Sequence, residues 1–376
     1  MIIDQRIKVM HLVGGMELGG VSKLVKYDVE NSDQESFEVQ VCCLGILGEY
    51  GLELRGKGYS IKAFGLSRSW KHPIKNLLSI MNTFRYLKYQ DIDILNAHLF
   101  IPGIVGRLFG KLLRIPGVIH TTHNIMYPRW EPFFNRVLER ITSRIIVDSY
   151  AVKKKLIGAG QADKKITVIY NGIDENEFAP ISDVSEVRDA LNIARGDIVL
   201  GNISGLQFYK GHDFLLDVFA KLAHSHKQVH LMLIGDGEEK SSLVNRAREL
   251  KIESRVHFLG RRTNIPPLIR SMDIMVHPSR WEGFGIILAE AMYCGIPVVA
   301  SDRGGIPEVV ENNMCGYTHP FGDTDAFVNS ISKLILDKEL RTEFGANGEY
   351  RVKRMFTVDT MMQAYSKTYT EIMHAL

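Results

Sequence analysis

Cysteine is scarce in this chain, with four among 376 residues (Cys42, Cys43, Cys294 and Cys315). They form neither a C-x-x-C pair nor a disulfide framework, so reduced thiols in a cytosolic setting are expected. No apolar run approaches the roughly twenty residues needed to span a bilayer. The first stretch, "MIIDQRIKVMHLVGG", carries charges inside its apolar run, which is not the pattern of a signal peptide. Low-complexity tracts and short-period repeats are also missing. What remains is an ordinary globular composition, 45% hydrophobic and 24% charged, in a chain long enough for two domains.

The net charge of +3 conceals an asymmetry. Residues 1–180 hold 24 Lys and Arg against 18 Asp and Glu, whereas residues 181–376 hold 22 against 25. A basic first half suggests contact with something anionic. Short β-branched runs recur along it: "IKVMHLV", "FEVQVCCLG", "DILNAHL", "GVIHTTHN", "RIIVDS" and "KITVIYNG". Amphipathic stretches of helical length separate most of them, the rhythm of parallel β-α-β units. The rhythm restarts at "DIVLGNISG" and runs through "VHLMLIGDG", "VHFLG", "DIMVHPS", "PVVASD" and "CGYTH". Between the two series lies a polar stretch without a strand, "GIDENEFAPISDVSEVRDALNIARGD", read as a linker plus one helix. The expectation is an α/β protein with two doubly wound Rossmann-like domains, residues 1–180 and 181–355, facing across a shared cleft at their strand ends. Residues 356–376 are expected to form a helix, capped at Thr357 or Asp359, that packs back on the first domain.

Chemistry concentrates in "WEGFGIILAEAMYCGIPVVASDRGGIPEVV", residues 281–310, where Glu282 and Glu290 stand eight apart. A strand precedes this stretch, and a helix starts near Gly285 and closes at Gly295 and Pro297. Glycines let backbone N–H groups approach a ligand, and a helix N-terminus favours negative charge. Glu282 at that mouth opposes an anion unless it binds something else, such as sugar hydroxyls. The plainer reading makes Glu282 a carboxylate on the helix dipole and Glu290 a solvated residue. Lys210 follows a strand and precedes a helix, where a cation suits a phosphate but a surface lysine is the alternative. Gly14, Gly15, Gly19 and Gly20 do not follow G-x-G-x-x-G spacing, so a nicotinamide fingerprint fits poorly. His120 and His123 at a strand end could suggest a metal, but no cysteine or acidic cluster completes a shell. Asp91-x-Asp93 opens a strand, where turn and edge roles serve better, and Asp236 suits a tight turn. No metal and no nucleic acid partner are expected.

Six segments in register, covering nearly the whole chain, resemble glycosyltransferase family 4. "SRWEGFGIILAEAMYCGIPVVAS" followed by "GGIPEVV" is similar to its E-x7-E signature. "VGGMELGGVSKLV", "TTHN", "VIYNGID", "YKGHDFLLDVF" and "LIGDG" are similar to its other landmarks. The resemblance implies a retaining, metal-independent enzyme of the GT-B architecture that takes a nucleotide-diphosphate sugar, with a UDP-sugar as the expected donor. It implies that Glu282 meets the transferred sugar and Glu290 the ribose. Backbone at Gly283, Phe284, Gly285 and Ile286 would meet the sugar or diphosphate, and Lys210 would neutralise the leaving group. It gives Gly19 and Gly20 a place at the donor phosphate or the acceptor, and His123 one near the reacting sugar. Gly235, Asp236 and Arg261 are placed near the nucleotide. The chain departs from the family at Gly205, where an arginine usually precedes the lysine by five residues, so one fork of donors is missing.

"PRWEPFFNRVLERITSRIIV" places Arg129, Arg136, Arg140 and Arg144 on one helical face, beside Trp130, Phe134, Val137, Leu138 and Ile141. "GRLFGKLLR" repeats the idea with Arg107, Lys111 and Arg114. Such helices either pack on a sheet with a solvated basic face or rest on anionic lipid. The second option implies a lipid-linked or saccharide acceptor at the inner face of the cell membrane. The function expected is glycosyl transfer in bacterial capsule, exopolysaccharide or lipopolysaccharide synthesis. A nucleotide-sugar epimerase of the same architecture and a catalytically silent binding homologue are the alternatives.

Overall fold

A computed structural model describes residues 6–67, 71–123, 131–179 and 185–375. The chain divides into two compact units, one of residues 1–172 with 358–376, the other of residues 173–357.

The first unit is built on β1 (Ile7–Val13), β2 (Phe37–Cys43), β3 (Ile61–Ala63), β4 (Ile94–His98), β5 (Gly117–Thr122), β6 (Arg144–Val147) and β7 (Ile166–Val168). They form one sheet in the order β3-β2-β1-β4-β5-β6-β7, with every pairing parallel. Helices connect successive strands, which explains why the central strands read as unbroken apolar runs: both sheet faces are covered. Strand β3 is absent from the sequence reading because its three residues are only half-buried or exposed and show no apolar run. The helix Phe100–Leu113 lies close on the sheet through glycines; a Cβ at Gly103 would stand 2.5 Å from the His120 ring, and one at Gly106 2.6 Å from Ala97 Cβ.

The helix Val358–His374 belongs to this first unit. Tyr369 donates its hydroxyl to Asp28 at 3.1 Å, receives Asn96 Nδ2 at 3.4 Å, and meets the Phe37 ring edge-on at 5.8 Å.

The second unit holds β8 (Ile198–Ile203), β9 (Val229–Ile234), β10 (Val256–Gly260), β11 (Ile274–His277), β12 (Val298–Ser301) and β13 (Gly316–His319). Their order is β10-β9-β8-β11-β12-β13, again all parallel. The expected boundary residue, Pro180, lies outside the described residues, and the second unit begins at Ile173 rather than at residue 181. The physical reason is local. Ile173 N–H donates to Phe356 O at 2.8 Å, Arg270 donates to Phe178 O at 2.6 Å, and the Phe178 ring is fully buried against Tyr293. The polar spelling of "GIDENEF" hides these few anchoring contacts.

Among the described residues, no helix is long and apolar enough to cross a membrane. The basic surface read from the sequence needs correction. Arg107 is fully buried, with Nε donating to Gly103 O at 2.7 Å and Nη2 to Asn135 Oδ1 at 2.8 Å. Arg144 opens strand β6 instead of continuing a helix, because the helix Glu131–Leu138 gives way to a 3-10 turn at Glu139–Ile141. Arg129 and Trp130 lie outside the described residues. Lys111, Arg114, Arg136 and Arg140 are exposed. Of the apolar neighbours Leu138 is buried, whereas Phe134 and Val137 face solvent.

Candidate active site

In an open parallel sheet, ligands settle beyond the strand C-termini where the order reverses direction. In the second unit that point lies between β8 and β11, from which the chain proceeds outward to β9 on one side and β12 on the other. Lys210 follows β8 and Glu282 follows β11, so the topology brings residues 72 apart to one crevice. Lys210 Nζ donates to Glu282 Oε2 at 2.7 Å, and both side chains are 15% exposed. His277 Nε2 lies 3.0 Å from the same carboxylate oxygen, and Ser279 Oγ donates to it at 3.3 Å. Burial alone would push the Glu282 carboxyl up, but the Lys210 charge and the bonds from His277 and Lys210 prevail and hold its pKa at about 2. Glu282 is therefore ionised at neutral pH and accepts hydrogen bonds. Burial lowers the pKa of His277, partly offset by Glu282. A neutral imidazole facing a carboxylate carries its hydrogen on that side, which assigns the Nε2–H tautomer.

His277 and Ser279 did not emerge from the sequence reading. The available signal was a histidine closing the strand "DIMVH" five residues before Glu282, a position that points to the same crevice.

Lys210 is held in place by its neighbours. It ends a 3-10 turn, Phe208–Lys210, and Gly211 follows at φ +73. A Cβ on Gly211 would stand 2.1 Å from Pro278 O, so the loop after β8 lies against the loop after β11. Arg280 braces the two, donating to Asp213 at 2.7 and 2.9 Å and to Phe208 O at 2.7 Å. Its guanidinium also stacks on Phe208 and Phe321, at 4.1 and 4.5 Å. These bonds commit the Arg280 guanidinium to bracing the two loops. Gly211→Ala is expected to destabilise the second unit by about 2–4 kcal/mol, because alanine strains a positive φ and displaces Pro278. Urea unfolding checks this, and a change below about 0.5 kcal/mol contradicts the loop packing.

The remaining residues of this site fall around the pair. Gly285, at φ +87, caps the helix Ile286–Tyr293. The first N–H groups of any helix lack intrahelical partners, so this terminus offers donors next to Glu282. Gly283 is buried, and the Phe284 side chain is committed to the core, edge-on to Phe356 at 5.3 Å. Only backbone at Phe284 can therefore serve a ligand. Glu290 is 4% exposed inside this helix, which overturns the solvated reading. Gly235 accommodates close approach, since a Cβ there would stand 2.0 Å from Ser204 O, and its N–H donates to Gly260 O. Asp236 closes its own turn, accepting from Gly237 N at 2.9 Å and Lys240 at 3.3 Å, while its backbone O accepts Leu206 N–H. Arg261 is exposed immediately after β10. Among the described residues, no group of three or more His, Cys, Asp or Glu side chains could hold a metal ion.

His123, Gly19 and Gly20 lie in the first unit. Gly19 precedes the helix Gly20–Asn31, and a Cβ at either glycine would meet nothing within 4 Å. Protein packing does not require glycine there. His123 follows β5; its ring stacks on His98 with centroids 5.9 Å apart, and Nδ1 lies 3.6 Å from Asp148 Oδ2, beyond hydrogen-bond reach. Neither ring nitrogen has a hydrogen-bond partner among the described residues. Behind it, His98 Nε2 and His11 Nδ1 are 2.8 Å apart, and His11 Nε2 is 3.0 Å from Asp28. Burial and then the neighbouring His11 hold His98 well below the ordinary imidazole pKa. His120 is a packing residue, buried under Gly103 with Nδ1 3.3 Å from Ala97 O.

Two Rossmann-like units, with a lysine–glutamate pair at the switch point of the second, fit the GT-B architecture, and the comparisons identify the chain as a glycosyltransferase of that class. Residues 18–177 match the Glycosyltransferase Family 4 profile and residues 183–351 the Glycosyl transferases group 1 profile. A D-inositol 3-phosphate glycosyltransferase of Corynebacterium jeikeium is 31% identical over 74% of this chain and 72% of its own. The UDP-Gal:alpha-D-GlcNAc-diphosphoundecaprenol alpha-1,3-galactosyltransferase of Escherichia coli is 26% identical over 89% of each. The solved structure of Anabaena Alr3699/HepE in complex with UDP-glucose superposes with a TM-score of 0.85 at 26% identity, covering 99% of this chain and 100% of that one. This chain belongs to glycosyltransferase family 4.

Proposed function

We propose that the protein transfers a hexosyl or N-acetylhexosaminyl group, with retention, from a UDP-sugar to a saccharide or lipid-linked acceptor in the synthesis of a bacterial surface polysaccharide. The observation that carries this reading is the Lys210–Glu282 pair beside a helix N-terminus at the switch point. Without a donor each charge satisfies the other. An arriving diphosphate competes for Lys210, and the released carboxylate accepts from the hydroxyls of the sugar. Glu290 is assigned to the ribose. The bond from the anomeric carbon to the diphosphate oxygen breaks, the bond to the acceptor oxygen forms on the same face, and the acceptor proton passes to the diphosphate. Lys210 and the helix terminus supply the positive charge that this departure requires, with no resident metal assigned. The donor base follows the complex of HepE with UDP-glucose, and the lipid-linked option follows the name of the Escherichia coli relative. Roles for His123, Gly19, Gly20, Gly235, Asp236 and Arg261 rest on the family resemblance.

The test combines donor screening with product stereochemistry. A UDP-sugar at about 100 times its Kd is expected to stabilise the protein by about 2.7 kcal/mol, with GDP- and ADP-sugars weaker. Proton NMR of the glycoside is expected to show the anomeric configuration of the donor. An inverted product overturns retention. A donor epimerised without any acceptor establishes the epimerase, and binding without hydrolysis or transfer establishes the silent homologue.

A further inference from the structure

The helix Pro73–Lys88 in the first unit is inside out over its first three turns. A helix lying on a soluble domain ordinarily turns its apolar stripe inward and its polar face to water. Here Asn76, Ser79 and Thr83 are buried, while Ile74, Leu77, Leu78 and Met81 are 75, 59, 52 and 51% exposed. The inward polar side chains all find partners. Asn76 Oδ1 accepts Ser67 N–H at 2.9 Å, Ser79 Oγ donates to Phe64 O at 2.8 Å, and Thr83 Oγ1 donates to Ser79 O at 2.9 Å. Hydrogen bonds along its first three turns and burial of Leu87 in the core at its last turn fasten the helix to the domain, which leaves Ile74, Leu77, Leu78 and Met81, at i, i+3, i+4 and i+7, on one outward stripe. Single exposed apolar residues are commonplace, whereas a contiguous stripe marks a surface meant to be covered.

We propose that this helix seats the protein on an anionic lipid surface. Charge selects the occupant. Residues 71–90 contain Lys71, Lys75, Arg85 and Lys88 and no Asp or Glu. At 100° per residue Arg85 and Lys88 fall on the same side as the apolar stripe, and Lys75 flanks it. An aliphatic stripe bordered by cations is the composition of a helix lying in the headgroup plane. A second copy of the chain seated here would set these cations against their own counterparts. The adjoining helix Phe100–Leu113 extends the face: Phe109 meets Phe84 edge-on at 5.0 Å, and Leu108 and Leu112 are exposed near Lys111. The inference does not depend on the donor or on the chemistry of transfer.

Sedimentation of the full chain with phosphatidylcholine vesicles, with and without phosphatidylglycerol, tests it. Binding is expected only with the anionic lipid and is expected to weaken as salt rises. Leu77→Glu with Met81→Glu is expected to weaken binding at least about tenfold, and Lys75→Glu with Arg85→Glu by a similar factor. Unchanged melting temperatures, expected at exposed positions, show that these variants are folded. Wild-type protein that ignores anionic vesicles at low salt overturns the proposal, as does undiminished binding by both double variants. A wild-type dimer that Leu77→Glu with Met81→Glu converts to monomer assigns the face to a second copy.

Discussion

Lys210→Met is expected to lower kcat/KM by about 10²–10³-fold, the range found when one preorganised charge-stabilising donor is removed. Among the described residues its ammonium is the lysine or arginine cation joined to the largely buried Glu282 carboxylate, and methionine keeps the stem while deleting the charge. The structural cost is separable. Glu282 loses its ion pair but retains His277 and Ser279, so a stability loss of about 1–3 kcal/mol is expected, well short of unfolding. Lys210→Arg tests geometry as distinct from charge: a guanidinium does not fit the same short pair and is expected to rescue only part of the rate. Coupled detection of UDP release from the proposed donor, with melting curves on the same samples, distinguishes a catalytic from a structural effect. A Lys210→Met enzyme within about threefold of wild type removes Lys210 from leaving-group stabilisation.

The second large effect is acid sensitivity of residues 173–357, and its sign follows from the directions of the pKa shifts. The Glu282 carboxyl falls from its ordinary 4.5 to about 2 in the folded chain. Its stabilisation is therefore complete above pH 4.5 and is lost as pH falls towards 2, in total roughly 2–3 kcal/mol after allowance for partial exposure. His212 acts at a higher pH. Burial, followed by the His277 and Lys210 charges, lowers it from 6.5 to about 4, so the unfolded chain takes up that proton first and stability falls across this interval. Subtracting a Glu282→Gln variant isolates the carboxylate. That variant is expected to be less stable by about 2–4 kcal/mol at pH 7, because Lys210 is left without its carboxylate, and to lose the additional slope below pH 4.5. The chain has three tryptophans, of which only Trp281 lies in this unit. Fluorescence in a Trp70→Phe, Trp130→Phe background therefore reports this unit alone. Parallel pH profiles for wild type and Glu282→Gln between pH 5 and about 3 sink the assignment of Glu282 as a depressed, ion-paired carboxylate.

The architecture was legible because parallel strands covered on both faces are spelled as continuous apolar runs. Twelve such runs correspond to strands, and the exception, β3, has too few buried residues to be spelled at all. The helix start at Gly285 was legible because its left-handed φ suits glycine. Side-chain placement was less legible. Periodicity put Arg107 and Arg144 on basic helical faces, yet one is buried on Gly103 and Asn135 and the other stands on a strand. In Pro73–Lys88 the polar Asn76 and Ser79 are turned inward by the backbone of Ser67 and the carbonyls of Leu44 and Phe64, all outside the helix they hold.

By itself the sequence determined two repeating β-α-β series, the glycine-capped helix after "WEGFG", and the family, since each is written in contiguous residues. Tertiary structure alone decided that Lys210 and Glu282 neutralise one another, that His277 completes their cluster, and that an aliphatic stripe faces outward. Those outcomes depend on atoms brought together from distant strands, and distance along the chain carries no record of which ends will meet. The physical core of the site is one short ion pair at a sheet's reversal point. Finding Lys210 dispensable for turnover would leave that contact a mere structural tie.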